Sequence, residues 1–350
     1  MNKIRVAQLV GNAQLGGVSN CVLNYFRYVD RERFFFDFLT YGESAFDEKV
    51  RALGGETKVV NDFRNPIKGC SDLKRILKNN EYDIFHCHLT SLSVFPLFVA
   101  NREKIGVKIV HAHSATDEKD RHAFYKNVLK KYADRYADAR FSCSDLSGTW
   151  LYGNGEYFLM PNAVDLDRFS FSQDVRKRVR DEYGVEGLCM GFAGRFEPQK
   201  NLFRFLDIAE IVQKKTDSVA VLLGDGSQKE ELIRYARDRG IKAKFLDGTD
   251  RIEDWYCAFD ALVMPSLFEG LPLVGVEAQA CSLPVFFSEA VTRESDFGGA
   301  TFFTDDLSAA EKILSVEGRI HCKDRLIERG YDIKTAAKRL ENEYEKLLWK

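Results

Sequence analysis

Although the chain has eight cysteines, at positions 21, 70, 87, 143, 189, 257, 281 and 322, no two of them form a Cys-x-x-Cys. Scattered single cysteines exclude a disulfide frame and point to reduced thiols in a cytoplasmic compartment. Long apolar runs are also missing. None approaches ~18 uninterrupted residues, so no spanning helix is expected. The first six residues pass straight into a short strand-like run, without the longer apolar core of a signal peptide. Charge of one sign is absent too: 51 Lys and Arg against 53 Asp and Glu leave a net charge of −2. That balance gives no general field for nucleic acid, and none is expected as a partner. No Asp-x-Asp triplet stands at a strand end, so neither a metal nor another cofactor is expected in the chemistry.

The 350 residues, 45% of them hydrophobic, exceed the usual limit for one core and set a prior of two domains. Short apolar runs alternate with longer amphipathic ones. Strands are expected at 4–10, 34–41, 57–60, 84–88, 108–113, 140–143 and 157–160, and again at 188–193, 219–223, 243–246, 261–264, 284–287 and 301–303. Helices are expected between them, at 17–28, 71–78, 91–102, 119–136, 172–183, 202–214, 229–239 and 273–281, with a last one at 333–348. Alternating β and α with near-continuous apolar strands predicts an α/β protein with parallel sheets covered on both faces. So many strands exceed the usual single sheet, which predicts two doubly wound, Rossmann-like domains. The break falls near Pro161-Asn162-Ala163-Val164-Asp165, where strand patterning ends.

The most informative stretch is Glu269-Gly270-Leu271-Pro272-Leu273-Val274-Gly275-Val276-Glu277. An apolar run precedes it, and Pro272 suits the first turn of a helix. The segment therefore reads strand, tight turn, helix, with Glu269 in the turn and Glu277 inside the helix. The free N–H groups of Leu273 and Val274 make a phosphate site, and the two carboxylates can hold hydroxyls on either side. Arg195 and Lys200 follow the strand that ends at Ala193-Gly194, at the edge where doubly wound domains bind ligands. Arginine can grip a phosphate through two parallel N–H bonds, and lysine adds a compact charge. Gly16-Gly17-Val18 opens the first helix, where paired glycines let backbone N–H groups approach an anion.

His86 and His88, and His111 and His113, lie two apart on strands, so each pair projects from one face. No further ligand is fixed by spacing, so a hydrogen-bonded core role is expected for His86 and His111 rather than a metal. Residues 119–135 hold six basic residues against two acidic ones, interleaved with aromatics. They read as a solvated helix face or as a surface for anionic headgroups.

The Glu269 to Glu277 stretch resembles the E-x7-E motif of glycosyltransferase family 4, retaining enzymes of the GT-B fold. Gly194-Arg195-Phe196-Glu197-Pro198-Gln199-Lys200-Asn201 is similar to a second element of that family, and the loop at 16–18 to a third. Pro161-Asn162-Ala163-Val164-Asp165 resembles the interdomain hinge, with Ala163 replacing the usual glycine. Ser282 likewise stands where a bacterial exopolysaccharide and capsule subgroup usually has glycine.

The resemblance implies domains at 1–165 on the acceptor side and 166–332 on the donor side, facing each other across a cleft. It also implies that residues 333–350 form a helix returning to the first domain. It implies a metal-independent hexose transfer from a nucleotide-diphosphate sugar, a UDP-sugar being favoured, to a saccharide or lipid-linked saccharide acceptor. Donor binding falls to Gly16, Gly17, Arg195, Lys200, Gly270, Leu271, Leu273, Val274 and Glu277. The catalytic roles fall to Glu269 and to His113, the latter donating hydrogen bonds near the sugar's C1. Leu246-Asp247-Gly248 matches the stretch whose loop frames the base, although Asp247 displaces the family glycine. Two alternatives remain open: a hydrolysing UDP-sugar epimerase of the same fold, and a non-catalytic nucleotide-sugar-binding protein.

Overall fold

The computed structural model describes residues 3–13, 17–113 and 123–349, and in it the apolar runs become two parallel sheets. The first contains β1 (Ile4–Gly11), β2 (Phe34–Thr40), β3 (Glu56–Val59), β4 (Ile84–Cys87), β5 (Val107–Ala112), β6 (Ala139–Ser142) and β7 (Phe158–Leu159). Their spatial order is β3-β2-β1-β4-β5-β6-β7. The second contains β8 (Leu188–Ala193), β9 (Ser218–Leu223), β10 (Ala243–Leu246), β11 (Ala261–Met264), β12 (Val285–Ser288) and β13 (Ala300–Phe303). Their order is β10-β9-β8-β11-β12-β13. Every residue of β4 and β11 is buried, as strands covered on both faces require. The order reverses between β1 and β4 and between β8 and β11, which opens a crevice at the C-terminal strand ends of each sheet.

The chain divides into two compact units, one of residues 1–163 with 330–350 and the other of 164–329. In the first, Phe34, Phe36 and Phe38 project from one face of β2 because strand side chains alternate. They meet Phe26, Phe46 and Tyr344, with ring centroids 4.9 Å apart for Phe26–Phe38 and 6.3 Å for Phe36–Tyr344. The helix Ile333–Leu348 buries Ile333, Ala336, Ala337, Leu340 and Tyr344, one stripe at helical spacing. Its N-terminus is capped by the Asp332 carboxylate, which accepts the Thr335 N–H at 3.0 Å. The core of the first unit therefore includes the last helix of the chain.

Each expected strand is present, with no end moved by more than one residue. Helices were less legible. Ala45–Ala52, Asp145–Tyr152, Ile252–Ala258, Asp306–Leu314 and Lys323–Glu328 are short and were not expected. The helix expected at 71–78 starts earlier, at Pro66, because Asn65 caps it and proline suits its first position. The single helix expected at 119–136 is instead a helix Ala123–Leu129 followed by a 3-10 turn Lys130–Tyr132, and residues 119–122 lie outside the described part.

Two departures from family glycines have different consequences. Ala163 is not among the residues with positive φ, so a side chain there is accommodated without strain. Ser282 has φ +57°, at the end of the helix Leu273–Ala280, where the Leu283 N–H reaches back to Ala278 O at 3.0 Å. That left-handed position disfavours a Cβ. Ser282→Gly should stabilise the protein by about 1 kcal/mol, the left-handed strain less the added chain entropy. Calorimetry should show a rise of roughly 2–4 °C in the unfolding temperature of the second unit; an unchanged or lower value would contradict it.

Candidate active site

In the second unit, β8 ends at Ala193 and the chain passes through Gly194 and Gly224 with almost no room. A Cβ on Gly224 would lie 1.9 Å from Gly194 O, and one on Gly226 would lie 2.5 Å from Phe196 O. Only glycine permits this approach. Phe196 N–H donates to Asp225 O at 2.8 Å and Gln228 N–H donates to Phe196 O at 3.0 Å, fixing the loop that carries Arg195. Arg195 is exposed. The turn Pro198–Lys200 then closes on Asn201, whose φ of +53° suits asparagine better than most side chains.

That turn is stitched to the segment after β11. Leu267 N–H donates to Gln199 O at 2.9 Å, and the Gln199 side-chain amide donates to Phe268 O at 3.0 Å. Lys200 Nζ consequently pairs with the Glu269 carboxylate, two groups both mostly shielded from water. Ser266 Oγ lies 3.4 Å from the same carboxylate oxygen. Glu269 does not sit in a simple tight turn, as the sequence suggested. Its backbone bridges to Val291, exchanging longer hydrogen bonds of 3.4 Å with Ala290 and Thr292, so a third loop helps hold it.

Pro272 is the N-cap of the helix Leu273–Ala280 rather than its first-turn residue. Gly275 N–H turns back to Pro272 O at 3.0 Å, and Val276 N–H to the same oxygen at 3.3 Å. Leu273 and Val274 precede any intrahelical acceptor, so their N–H groups face outward at the positive end of the helix. Gly270, with open space around its Cα, and Leu271 lead into this turn. The helix lies tight on β12, since a Cβ on Gly275 would meet Phe287 Cζ at 2.6 Å. Gln279 locks its far end, accepting the Phe297 N–H at 2.9 Å and donating to Ser295 O at 2.7 Å.

Glu277 is the fifth residue of that helix. Its Oε2 accepts the Tyr256 hydroxyl at 2.9 Å. Burial pushes its carboxyl up to about 7, against the opposing pull of the Tyr256 hydrogen bond and the Arg168 guanidinium. Arg168 is itself held by Glu253 at 2.8 Å and by Asp250 O at 2.6 Å. Asp247 pairs with Lys229 at 2.6 Å on the same sheet edge, beyond β10. The chain's Asp165-Leu166-Asp167 triplet forms a local turn, with the Asp165 carboxylate accepting the Asp167 N–H at 3.0 Å and the Arg168 N–H at 3.2 Å.

In the first unit, Gly17 opens the helix Gly17–Tyr28 after β1 and is exposed, whereas Gly16 lies outside the described residues. His113 follows β5 at the C-terminal edge of the same sheet. It belongs to a group that sequence reasoning did not assemble. His88 Nδ1 lies 2.7 Å from His113 Nε2, and His88 Nε2 lies 2.7 Å from Gln8 Oε1. His86 bridges Tyr344 Oη at 2.7 Å and His111 Nδ1 at 3.0 Å. Burial holds all four imidazoles far below their usual range, His113 at about 3, so each is neutral. His111 departs from the expected satisfied core histidine, because its buried Nε2 has no partner.

Nitrogen atoms of His86, His88 and His111 lie within 4.8 Å of one another, close enough to raise the question of a metal. The rings of His86 and His88 stack at 4.3 Å and 22°, however, and both nitrogens of each are already hydrogen-bonded. A tetrahedral ion needs in-plane lone pairs converging on one point, which near-parallel stacked rings do not offer. The signal for this group was Gln8, a polar residue inside an otherwise apolar buried strand.

Residues 15–168 match the family described as Glycosyltransferase Family 4, and residues 188–316 match Glycosyl transferases group 1. The chain is 29% identical to EpsF of Bacillus subtilis (strain 168), covering 97% of this chain and 96% of that protein. It is 24% identical to the UDP-Gal:alpha-D-GlcNAc-diphosphoundecaprenol alpha-1,3-galactosyltransferase of Escherichia coli, covering 95% and 94%. Among solved structures, Anabaena Alr3699/HepE in complex with UDP and glucose superposes with a TM-score of 0.82 at 16% identity, covering 98% of this chain and 99% of that one. The lipopolysaccharide outer core galactosyltransferase WaaB superposes with a TM-score of 0.69 at 15% identity, covering 98% and 100%. With two parallel α/β sheets and matches along most of its length, the chain belongs to the group 1, family 4 glycosyltransferases of the GT-B fold.

Proposed function

We propose that the protein transfers a hexose, with retention of configuration, from a nucleotide-diphosphate sugar to a growing lipid-linked saccharide in surface polysaccharide synthesis. The observation that carries this reading is the cluster at one sheet edge of the second unit. Lys200, Glu269, the N-terminal turn at Leu273 and Val274, and Glu277 are held there by neighbouring elements. A diphosphate fits the N–H groups of Leu273 and Val274 with Lys200 and Arg195 beside them. Glu277, with one oxygen occupied by Tyr256, is suited to the ribose, and Glu269 to the sugar. A UDP-sugar is favoured: the E. coli relative's name specifies a UDP-galactose donor and a diphosphoundecaprenol-linked acceptor, and HepE is solved with UDP-glucose.

In this reading the bond from the sugar's C1 to the diphosphate oxygen breaks, and the acceptor hydroxyl bonds to C1 on the same face. The hydroxyl proton passes to the departing phosphate, whose charge Lys200 and the helix N-terminus stabilise. His113 and Gly17 take the roles expected of them, His113 at the sugar and Gly17 at the phosphates. The pairing of Lys200 with Glu269 fits such a site, since an arriving diphosphate redistributes the lysine's charge and leaves the carboxylate for sugar hydroxyls.

Ribose does not react, so Glu277 should contribute almost equally to ground and transition states. Glu277→Gln should raise the donor KM by about 1–3 kcal/mol in binding, with kcat little changed. Glu269 faces the sugar that gains positive charge, and Glu269→Gln should lower kcat well beyond any change in KM. Steady-state rates with UDP-glucose and calorimetric donor binding check both. Reversed patterns would swap the roles, and no change in either variant would remove the site.

The Glu277 carboxyl makes a pH prediction with a definite sign. Its folded value of about 7 exceeds the ordinary 4.5, so the folded protein keeps a proton that the unfolded chain has released. Its contribution to stability is complete below pH 4.5 and is lost as pH rises to about 7. The ionised carboxylate is the stronger acceptor for ribose hydroxyls. UDP-glucose affinity should therefore rise from pH 6 to pH 8 in the parent protein and stay flat in Glu277→Gln. A flat parent profile would refute the assignment.

No helix among the described residues is long and apolar enough to cross a membrane. The helix Ala123–Leu129 nevertheless exposes Phe124 at 74% and Tyr125 at 67%, with Tyr132 following and Lys131 and Arg135 exposed nearby. Exposed aromatics beside cations favour contact with anionic headgroups, which would bring the enzyme to a lipid-linked acceptor. Lys131→Glu with Arg135→Glu should weaken sedimentation with vesicles containing anionic lipid, most at low salt. Equal sedimentation of parent and variant, or none by the parent, would leave these residues as a solvated face.

A further inference from the structure

The buried imidazoles of the first unit form a directional hydrogen-bond chain with Gln8 and Tyr344, and its direction follows from counting protons. The Gln8 amide nitrogen donates to Tyr344 Oη at 3.0 Å. The tyrosine has one proton, so its hydroxyl donates to His86 Nδ1. Neutral His86 then carries its proton on Nε2 and donates to His111 Nδ1. On the other side, Gln8 Oε1 can only accept, so His88 Nε2–H donates to it. Neutral His88 has a bare Nδ1, which must accept the Nε2–H of His113. Among the described residues nothing hydrogen-bonds to His113 Nδ1, and that atom is left as a lone pair.

We infer that Gln8 and Tyr344 are positioning residues that hold His113 with its proton on Nε2 and its Nδ1 lone pair free to accept a hydrogen bond. The inference rests on the reading that places His113 at the sugar. There it reverses the donor role expected from sequence, giving a ring nitrogen that accepts a hydrogen bond from a sugar hydroxyl. The direction is set by one amide. Turning the Gln8 side chain over would place its nitrogen against His88 and its oxygen against Tyr344, which reverses every proton and makes His113 Nδ1 a donor. The amide nitrogen's partner is Tyr344 on the last helix, itself buried among Phe34, Phe36 and Phe141. Residues 333–348 thereby set the proton position on a ring at the end of β5. The stacking of His111 on His113, with centroids 3.9 Å apart, fixes the plane in which that lone pair lies.

The test uses the full chain labelled with 15N-histidine, the His113 signals being assigned by their absence in His113→Ala. Long-range 1H–15N spectra should show neutral His113 with its proton on Nε2 throughout pH 6 to 8. Gln8→Leu removes the acceptor for His88, and Tyr344→Phe releases the amide while keeping the ring volume. Both should give a mixture of the two neutral forms of His113. Turnover should fall by about tenfold or more, as for loss of a correctly protonated catalytic group. Calorimetric binding of UDP, which the second unit holds in our reading, should stay unchanged. Tyr344→Phe preserves the packing, so it carries the test if Gln8→Leu fails to fold. A proton on Nδ1 in the parent, or a spectrum of His113 untouched by Tyr344→Phe, overturns the inference. If the spectra behave as expected but His113→Ala leaves turnover intact, the network stands and the placement of His113 at the sugar fails.

Discussion

Parallel strands covered on both faces leave polar side chains almost nowhere to go, and the arrangement of this protein follows from that. Within the sheets the buried residues are mostly apolar, and the charges that remain are paired, as Asp37 is with Lys58 and Lys108 with Asp138. Chemistry is confined to the C-terminal strand ends, where β8 releases Arg195 and Lys200 and β11 releases Glu269. The same constraint makes glycine necessary at 224 and 226, where two strand ends cross with backbone atoms nearly in contact.

At that edge no single element is stiff enough to place a charged group, so loops are tied to one another. Gln199 binds the segment at 267–268, Glu269 bridges to Val291, and Gln279 holds the loop at 295–299 against the helix that carries Glu277. Each tie satisfies backbone groups that would otherwise be unpaired, and each also positions a neighbouring side chain. Positioning and stability are here the same hydrogen bonds.

The His86, His88, His111 and His113 group also places polar side chains within and at the ends of strands, and it is tolerated because it is neutral and closes on itself. Gln8 and Tyr344 supply the donors and acceptors at its ends, which among the described residues leaves His111 Nε2 and His113 Nδ1 without partners. A buried polar group of this kind has a fixed direction, which an apolar core does not.

The sequence by itself determined the fold class, the strands and the family. Those follow from local information: runs of apolar residues with period, glycines and prolines between them, and short motifs at strand ends. It did not determine the short helices such as Ile252–Ala258, whose pattern is too brief to register, or the break in the helix expected at 119–136. Lys200 and Glu269 were each legible at a strand end, but their pairing arises only once Gln199 and Leu267 are hydrogen-bonded. The upward shift of Glu277 comes from burial, against the pull of the Tyr256 hydrogen bond, and neither leaves a mark within its own segment. The link from Tyr344 through Gln8 to His88 joins residues from opposite ends of the chain, and only tertiary structure decides which of them share hydrogen bonds.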